Sequence, residues 1–170
     1  MTNTMTDIRP GTYTIDPARS AVQFTATHVF GLKPVDGTMA VRCGTLVVAD
    51  EPRRSTVSAE IDATSWKTDD AKRDKDVRGK RFLDVERHPA IGFRSTHLAR
   101  SDEGWQIAGV LSVRGGSTEI ALDLTEMEPT AGGYRFTATA RVDRVAAGIA
   151  AGRAIIGRYV DVTLTVNATR

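Results

Sequence analysis

The sequence predicts an all-β protein, an extended antiparallel up-and-down barrel with one short helical insertion around residues 68–80. Three observations point there. Apolar and polar residues alternate through most of the chain, the period-two pattern of strands buried on one face. The alternating runs are separated by turn signals such as Asp16-Pro17, Gly115-Gly116 and Gly132-Gly133, which favour pairing of sequence neighbours as hairpins. A dense mixed-charge block lies within Ser65–Ser95 and is the one stretch with helix start and stop residues. A sheet of about eight strands curls or closes and so covers its edges, which favours a barrel over a sandwich.

Residues 1–10 are polar and read as a frayed tail, leaving 11–170 as one domain. Tyr13 and Ile15 share a face. Val22, Phe24, Ala26, His28 and Phe30 share the next, and Gly31 ends that strand. Val35 to Val41 alternates, Cys43-Gly44 interrupts, and Thr45 to Val48 resumes. Val57, Ala59, Ile61 and Ala63 then face together. In the charged block, Thr68 is placed to cap a helix with Asp69 and Asp70 in its first turn, where the macrodipole favours negative charge. Asp69 and Arg73 are spaced to pair, Gly79 is placed to end the helix, and Phe82 and Leu83 to dock the segment on the sheet. The Arg73-Asp74 pair reads as a solvated or interstrand ion pair.

Strands resume at Ala90–Leu98 and Trp105–Val113, the second with Trp105, Ile107, Gly109, Leu111 and Val113 on one face. Ile120, Leu122 and Leu124 follow, then Tyr134, Phe136, Ala138, Ala140 and Val142. Val145–Arg153 is small and Gly-rich, either a loop or a weak helix. Val160, Val162, Leu164 and Val166 form the last face.

Composition narrows function. With 41% hydrophobic and 26% charged residues and a net charge of +2, the chain has the make-up of a soluble globular domain without a field that demands nucleic acid. The single cysteine, Cys43, excludes a disulfide within the chain and a cysteine-based zinc site, and reads as a small packed side chain. The N-terminal residues lack a basic region followed by an apolar core, and no run is long enough for a membrane helix, so the expectation is cytoplasmic.

Several inward positions are small: Ala26, Gly37, Ala59, Ala63, Gly109, Ala138 and Ala140. A barrel of this size is filled only by bulky inward residues, so small ones leave room for an elongated apolar guest, unless a helix or loop packs closely there instead. The expected ligand-binding residues are Phe24, Ala26, His28, Phe30, Ile61, Leu111, Phe136, Ala138, Val162 and Leu164. His28 reads either as a satisfied core residue or as a polar group at the cavity mouth. His88 and His97 lack ligand spacing, and no phosphate loop, nucleophile elbow or carboxylate pair is present, so neither a metal nor a catalytic set is expected.

The chain resembles the YceI-like family of lipocalin-like, polyisoprenoid-binding proteins from about Thr12 to its C-terminus. Ile15, Asp16, Ser20, Phe24, His28 and Gly37 match the family's opening segment. Thr68, Arg73, Asp74, Phe82, Pro89, Phe93 and Ser95 fall in the order and approximate spacing of its central signature. Ile107–Thr118 resembles its later hairpin, and Arg141–Arg144 an Arg-containing segment, after which Val145-Ala146-Ala147-Gly148 replaces the usual aromatic and glycine. The resemblance implies a barrel holding an isoprenoid lipid, of the quinone or polyprenyl phosphate type, for carriage or storage. It also implies binding without catalysis, no further cofactor, and frequent homodimers. The alternatives are an enzyme acting on such a lipid, for which His28 is the visible candidate, and a ligand-free interaction module with a filled core.

Overall fold

The computed structural model describes residues 8–28, 33–102, 104–152 and 156–170, with backbone alone at Thr27 and His28. The alternating runs form β1 (Gly11–Ile15), β2 (Ala21–His28), β3 (Lys33–Val48), β4 (Thr56–Lys67), β5 (Ala90–Ser101), β6 (Gly104–Val113), β7 (Gly116–Thr130), β8 (Gly133–Asp143) and β9 (Tyr159–Thr169), with α1 (Ala71–Arg78) between β4 and β5. All pairings are antiparallel, in the order β1-β3-β2-β9-β8-β7-β6-β5-β4, and β3 pairs with β4 to close the sheet. β1 and β2 are two halves of one stave: both pair with β3, along Thr45–Val48 and Lys33–Ala40, and both pair with β9. Between them Pro17–Arg19 makes a turn of 3-10 helix, capped by the Asp16 carboxylate, which accepts the Ala18 N–H at 3.0 Å. The product is a closed eight-strand barrel with one short helix.

Register shifts put one extra residue between Val41 and Cys43 in β3, between Ser95 and His97 in β5 and between Leu124 and Glu126 in β7, and a larger irregularity lies in β4, where Asp62 and Lys67 pair with Ala40 and Thr38. Each of the three single-residue shifts is a bulge whose extra residue exchanges the two faces. Val41 and Leu46, five apart, are therefore both buried, while the consecutive Arg42 and Cys43 are both exposed. This corrects the packed reading of Cys43. It also makes β3 one continuous strand where an interruption was expected at Cys43-Gly44. The β6–β7 turn is Arg114-Gly115, one residue earlier than expected; both have positive φ, +53° and +74°, which matches the twist of a tight hairpin. The Val145–Arg153 segment, described through Gly152, is a series of turns.

The connections fall at two ends. The cap end carries the end of β2 and the start of β3, the helix-bearing segment 68–89, the Arg114-Gly115 turn and the described part of the loop between β8 and β9. The floor end carries the β3–β4 and β7–β8 connections, the end of β5 and start of β6, the start of β1 and the end of β9. Large residues fill the floor: Ile8, Tyr13, Trp105 and Met127 are all buried, and Ala168 is 0% exposed. The Tyr13 and Tyr134 rings meet edge to face at 5.8 Å. Tyr13 Oη donates to the Arg9 carbonyl at 2.5 Å and the Arg9 N–H donates to Tyr134 Oη at 3.2 Å, so Ile8 and Arg9 are docked on the barrel. Burial raises the Tyr13 pKa.

Candidate functional site

Above the floor the barrel is hollow. A cavity of about 230 Å³ is walled by inward residues of the strands and, apart from Arg144, every lining side chain is apolar. The floor of the cavity includes Leu46, Leu98, Leu124, Phe136 and Val166. Tyr13, Trp105, Met127 and Ala168 lie beyond it and do not line it. Ala59, Ala138 and Ala140 are the small wall residues that keep the space open. Phe24 reaches across from β2 and stacks on Trp66 of β4, with centroids 3.9 Å apart and planes 20° from parallel. Gly37 lies opposite Phe24 in the ladder, and a Cβ there would run into the Phe24 ring and the Lys67 carbonyl. A glycine at this point is what lets the aromatic pair lie flat.

The cap is built by polar groups that hold its connections over the hollow. The Asp74 carboxylate, buried at 4% exposure, accepts the Thr68 N–H at 3.0 Å and its hydroxyl at 2.7 Å. Burial pushes the Asp74 carboxyl up, but the Thr68 hydrogen bonds and the guanidinium groups of Arg78 and Arg73 outweigh it and hold it below its ordinary value. Asp70, not Thr68, caps α1, accepting the N–H groups of Lys72 and Arg73 at 3.0 and 3.1 Å. Thr68 is instead tied to Asp74, so the helix spans Ala71–Arg78, shorter than the expected insertion, and Asp74 is not a solvated partner of Arg73. Asp69 does pair with Arg73, at 3.4 Å, and Gly79 does end the helix. Arg78 Nε donates to the Trp66 carbonyl at 3.1 Å, and Leu83 is buried against the hollow.

On the other side of the cap, Arg144 is buried and its guanidinium donates to four carbonyls, of Gly157, Ile149 and Ala151 at 2.8 Å and of Ile156 at 2.9 Å. A buried guanidinium needs this degree of satisfaction. It gathers the β8–β9 loop so that Ile149 joins the cavity wall. Arg114 Nη1 donates to the carbonyls of Arg81 and Phe82 at 2.9 and 3.0 Å, tying the hairpin turn to the helical connection.

A YceI-like domain model matches residues 13–168, the barrel from β1 through β9. The chain belongs to the YceI-like domain family. Among curated relatives of this YceI-like chain, a UPF0312 protein of Serratia proteamaculans (strain 568) is 28% identical over 125 residues, 71% of this chain and 65% of that protein. A UPF0312 protein of Yersinia pestis (strain Pestoides F) is 33% identical over 72 residues, 42% of this chain and 38% of that protein. The chain thus spans less than two thirds of the length of the curated relatives it matches. Among solved structures, BcnA of Burkholderia cenocepacia superposes with a TM-score of 0.76 at 17% identity, covering 89% of this chain and 98% of that one. A polyisoprenoid binding domain from Saccharophagus degradans gives 0.63 at 12% identity, covering 92% and 97%. These likenesses establish the fold.

In this YceI-like barrel Phe24, Ile61, Leu111, Phe136, Ala138, Val162 and Leu164, from five strands, all line one cavity. Ala26 does not line it; it is half-buried, past the last β2–β9 pair at Thr25 and Asp161. His28 ends β2 and pairs through its backbone with Lys33, its side chain lying outside the described residues, as does all of Phe30. Sequence reasoning missed Trp66 and Arg144 as wall residues. Trp66 carried a usable signal, an aromatic at the last turn of an alternating run. Arg144 carried none, because its partners are backbone carbonyls. No helix among the described residues is long and apolar enough to cross a membrane.

Proposed function

We propose that the barrel binds the tail of an isoprenoid lipid and holds it for carriage or storage, without transforming it. The observation that carries this reading is the apolar cavity of about 230 Å³. Protein interiors are otherwise close-packed, and an apolar void of this kind stays dry and accepts hydrocarbon. A cavity of about 150 Å³ admits benzene, so this one holds on the order of ten carbons, or two isoprene units, by the same scale. The rest of a longer tail, with its head group, extends out of the barrel, because an apolar wall offers a polar head no partners. Isoprenoid chemistry is supported by the fold shared with the Saccharophagus polyisoprenoid binding domain. Carriage fits the hollow better than catalysis, since its wall sets no nucleophile beside an acid or base.

Native mass spectrometry of gently purified protein, followed by solvent extraction, tests this reading. The expected result is an added mass that extracts as a prenyl lipid. Protein that carries no lipid and takes up neither geraniol nor farnesol would overturn it.

A further inference from the structure

We infer that the cap end of the barrel docks on an anionic lipid bilayer, with the helical connection 67–89 as the contact surface. The purpose of this docking rests on the carrier reading, but the docking itself is independent of any cargo.

The interior fixes which end matters. The floor is plugged by Tyr13, Trp105 and Met127, outside the cavity. At the cap, Leu83, Val113 and Ile149 form part of the cavity wall, so the hollow extends to that end. A lipid that enters or leaves along the barrel axis does so past the cap.

The charge on that end is uneven. Residues 67–89 carry eight Lys and Arg against six Asp and Glu. Two of the six, Asp74 and Asp84, are buried, and Asp69 and Asp70 are engaged by Arg73. Lys67, Lys72, Lys75, Lys80, Arg81 and Arg87 are all exposed, and among the described residues none of them makes an ion pair. Asp76 and Glu86 are the acidic residues left to oppose them. At the floor end, by contrast, Arg54 pairs with Glu51 and Arg135 with Glu128, and the exposed Asp50 and Asp102 stand near Arg53 and Arg100 in the chain and offset their charge.

Aromatic–arginine pairs lie at the same end. The Arg81 guanidinium sits 6.0 Å from the half-buried Phe82 ring. Tyr159, at the cap end of β9 and 50% exposed, lies under Arg141 and Arg158 at 5.7 and 5.9 Å. Side chains with an apolar body and a polar or charged tip settle at the headgroup level of a bilayer. Each Lys or Arg near an anionic surface strengthens binding by about fivefold, an effect that salt screens.

Cosedimentation with extruded vesicles tests the proposal, comparing phosphatidylcholine alone with phosphatidylcholine containing about one quarter phosphatidylglycerol. The wild-type protein is expected to bind the anionic vesicles alone and to release as salt rises from about 0.05 to about 0.5 M. The triple variant Lys72→Glu, Lys75→Glu, Lys80→Glu is expected to bind at least about thirtyfold more weakly. The floor-end variant Arg53→Glu, Arg54→Glu, Arg100→Glu has the same net charge and is expected to stay within about threefold of wild type. Hydrogen exchange of the wild-type protein on vesicles gives a reading that needs no variant: protection of 67–88 and none of 49–55. Absence of binding to anionic vesicles, equal loss in both variants, or protection at the floor would overturn the docking. Extractable lipid in a protein that fails to dock would leave the carrier reading standing, and docking by a protein that takes up no lipid would leave the docking standing without it.

Discussion

The two ends of this barrel use the same alternating strands to opposite effect. At the floor the inward positions hold Tyr13, Trp105, Met127 and Tyr134, and the interior is filled. Higher up, β4 and β8 place Ala59, Ala138 and Ala140 inward, and the interior is a cavity. Backbone and register do not differ in kind between the two; side-chain volume does. The floor therefore sustains the fold, and the space above it is free to serve a guest. The two regions should respond differently to equivalent substitutions.

The largest effect is expected at the floor. Tyr13→Ala removes a side chain that is 1% exposed and should cost about 3–5 kcal/mol in urea unfolding. Leu164→Ala, in the cavity wall, should cost about 2 kcal/mol or less, because part of the removed side chain already faces empty space. Equal losses would erase the contrast between the two regions.

The cap is held by polar groups, and its sensitivity is to pH. The Asp74 carboxyl lies below its ordinary value when folded, so its contribution is complete above the ordinary carboxyl range near pH 4 and is lost as pH falls through the lowered folded value. Asp74→Asn should cost about 1.5–3 kcal/mol at neutral pH and flatten the acid limb of the stability curve. An unchanged acid limb, followed by circular dichroism from neutral pH into acid, would assign that limb to other carboxylates.

The smallest effect sharpens the floor itself. The Trp105 indole N–H is buried with no acceptor among the described residues, so Trp105→Phe trades some packing against relief of an unpaired donor. The net change should stay within about 1 kcal/mol by urea midpoint, where Trp105→Ala should cost about 3–5 kcal/mol.

Much of this was legible in the sequence because a half-buried strand writes its face every second residue. The inward sets of β4, β6, β8 and β9 follow directly from that period. The bulges are where it failed: the odd spacing from Val41 to Leu46 hides an extra residue, and Cys43 was read as packed although it is exposed. The cap was legible only as a charged helical block. Thr68 and Asp70 are both good caps two residues apart, and the buried Asp74 carboxylate decides between them by claiming Thr68. Arg144 bound to loop carbonyls is a product of closure that no local pattern records, and Trp66, though marked as an aromatic ending an alternating run, gives no sign of its partner Phe24.

The central claim, that the upper barrel is open space for lipid, is tested most directly by one substitution made at two levels of the same interior. Ala138→Trp puts an indole into the cavity, whereas Ala168→Trp puts it into the floor, where Ala168 is 0% exposed. Thermal midpoints are compared on delipidated proteins, because bound lipid would itself raise the midpoint, and extractable lipid is measured on the undelipidated ones. The account predicts that Ala138→Trp keeps its midpoint within about 2 °C and loses its lipid, while Ala168→Trp drops by about 4 °C or more from overpacking. A midpoint that falls as far in Ala138→Trp as in Ala168→Trp, with no lipid in the wild-type protein, would contradict it.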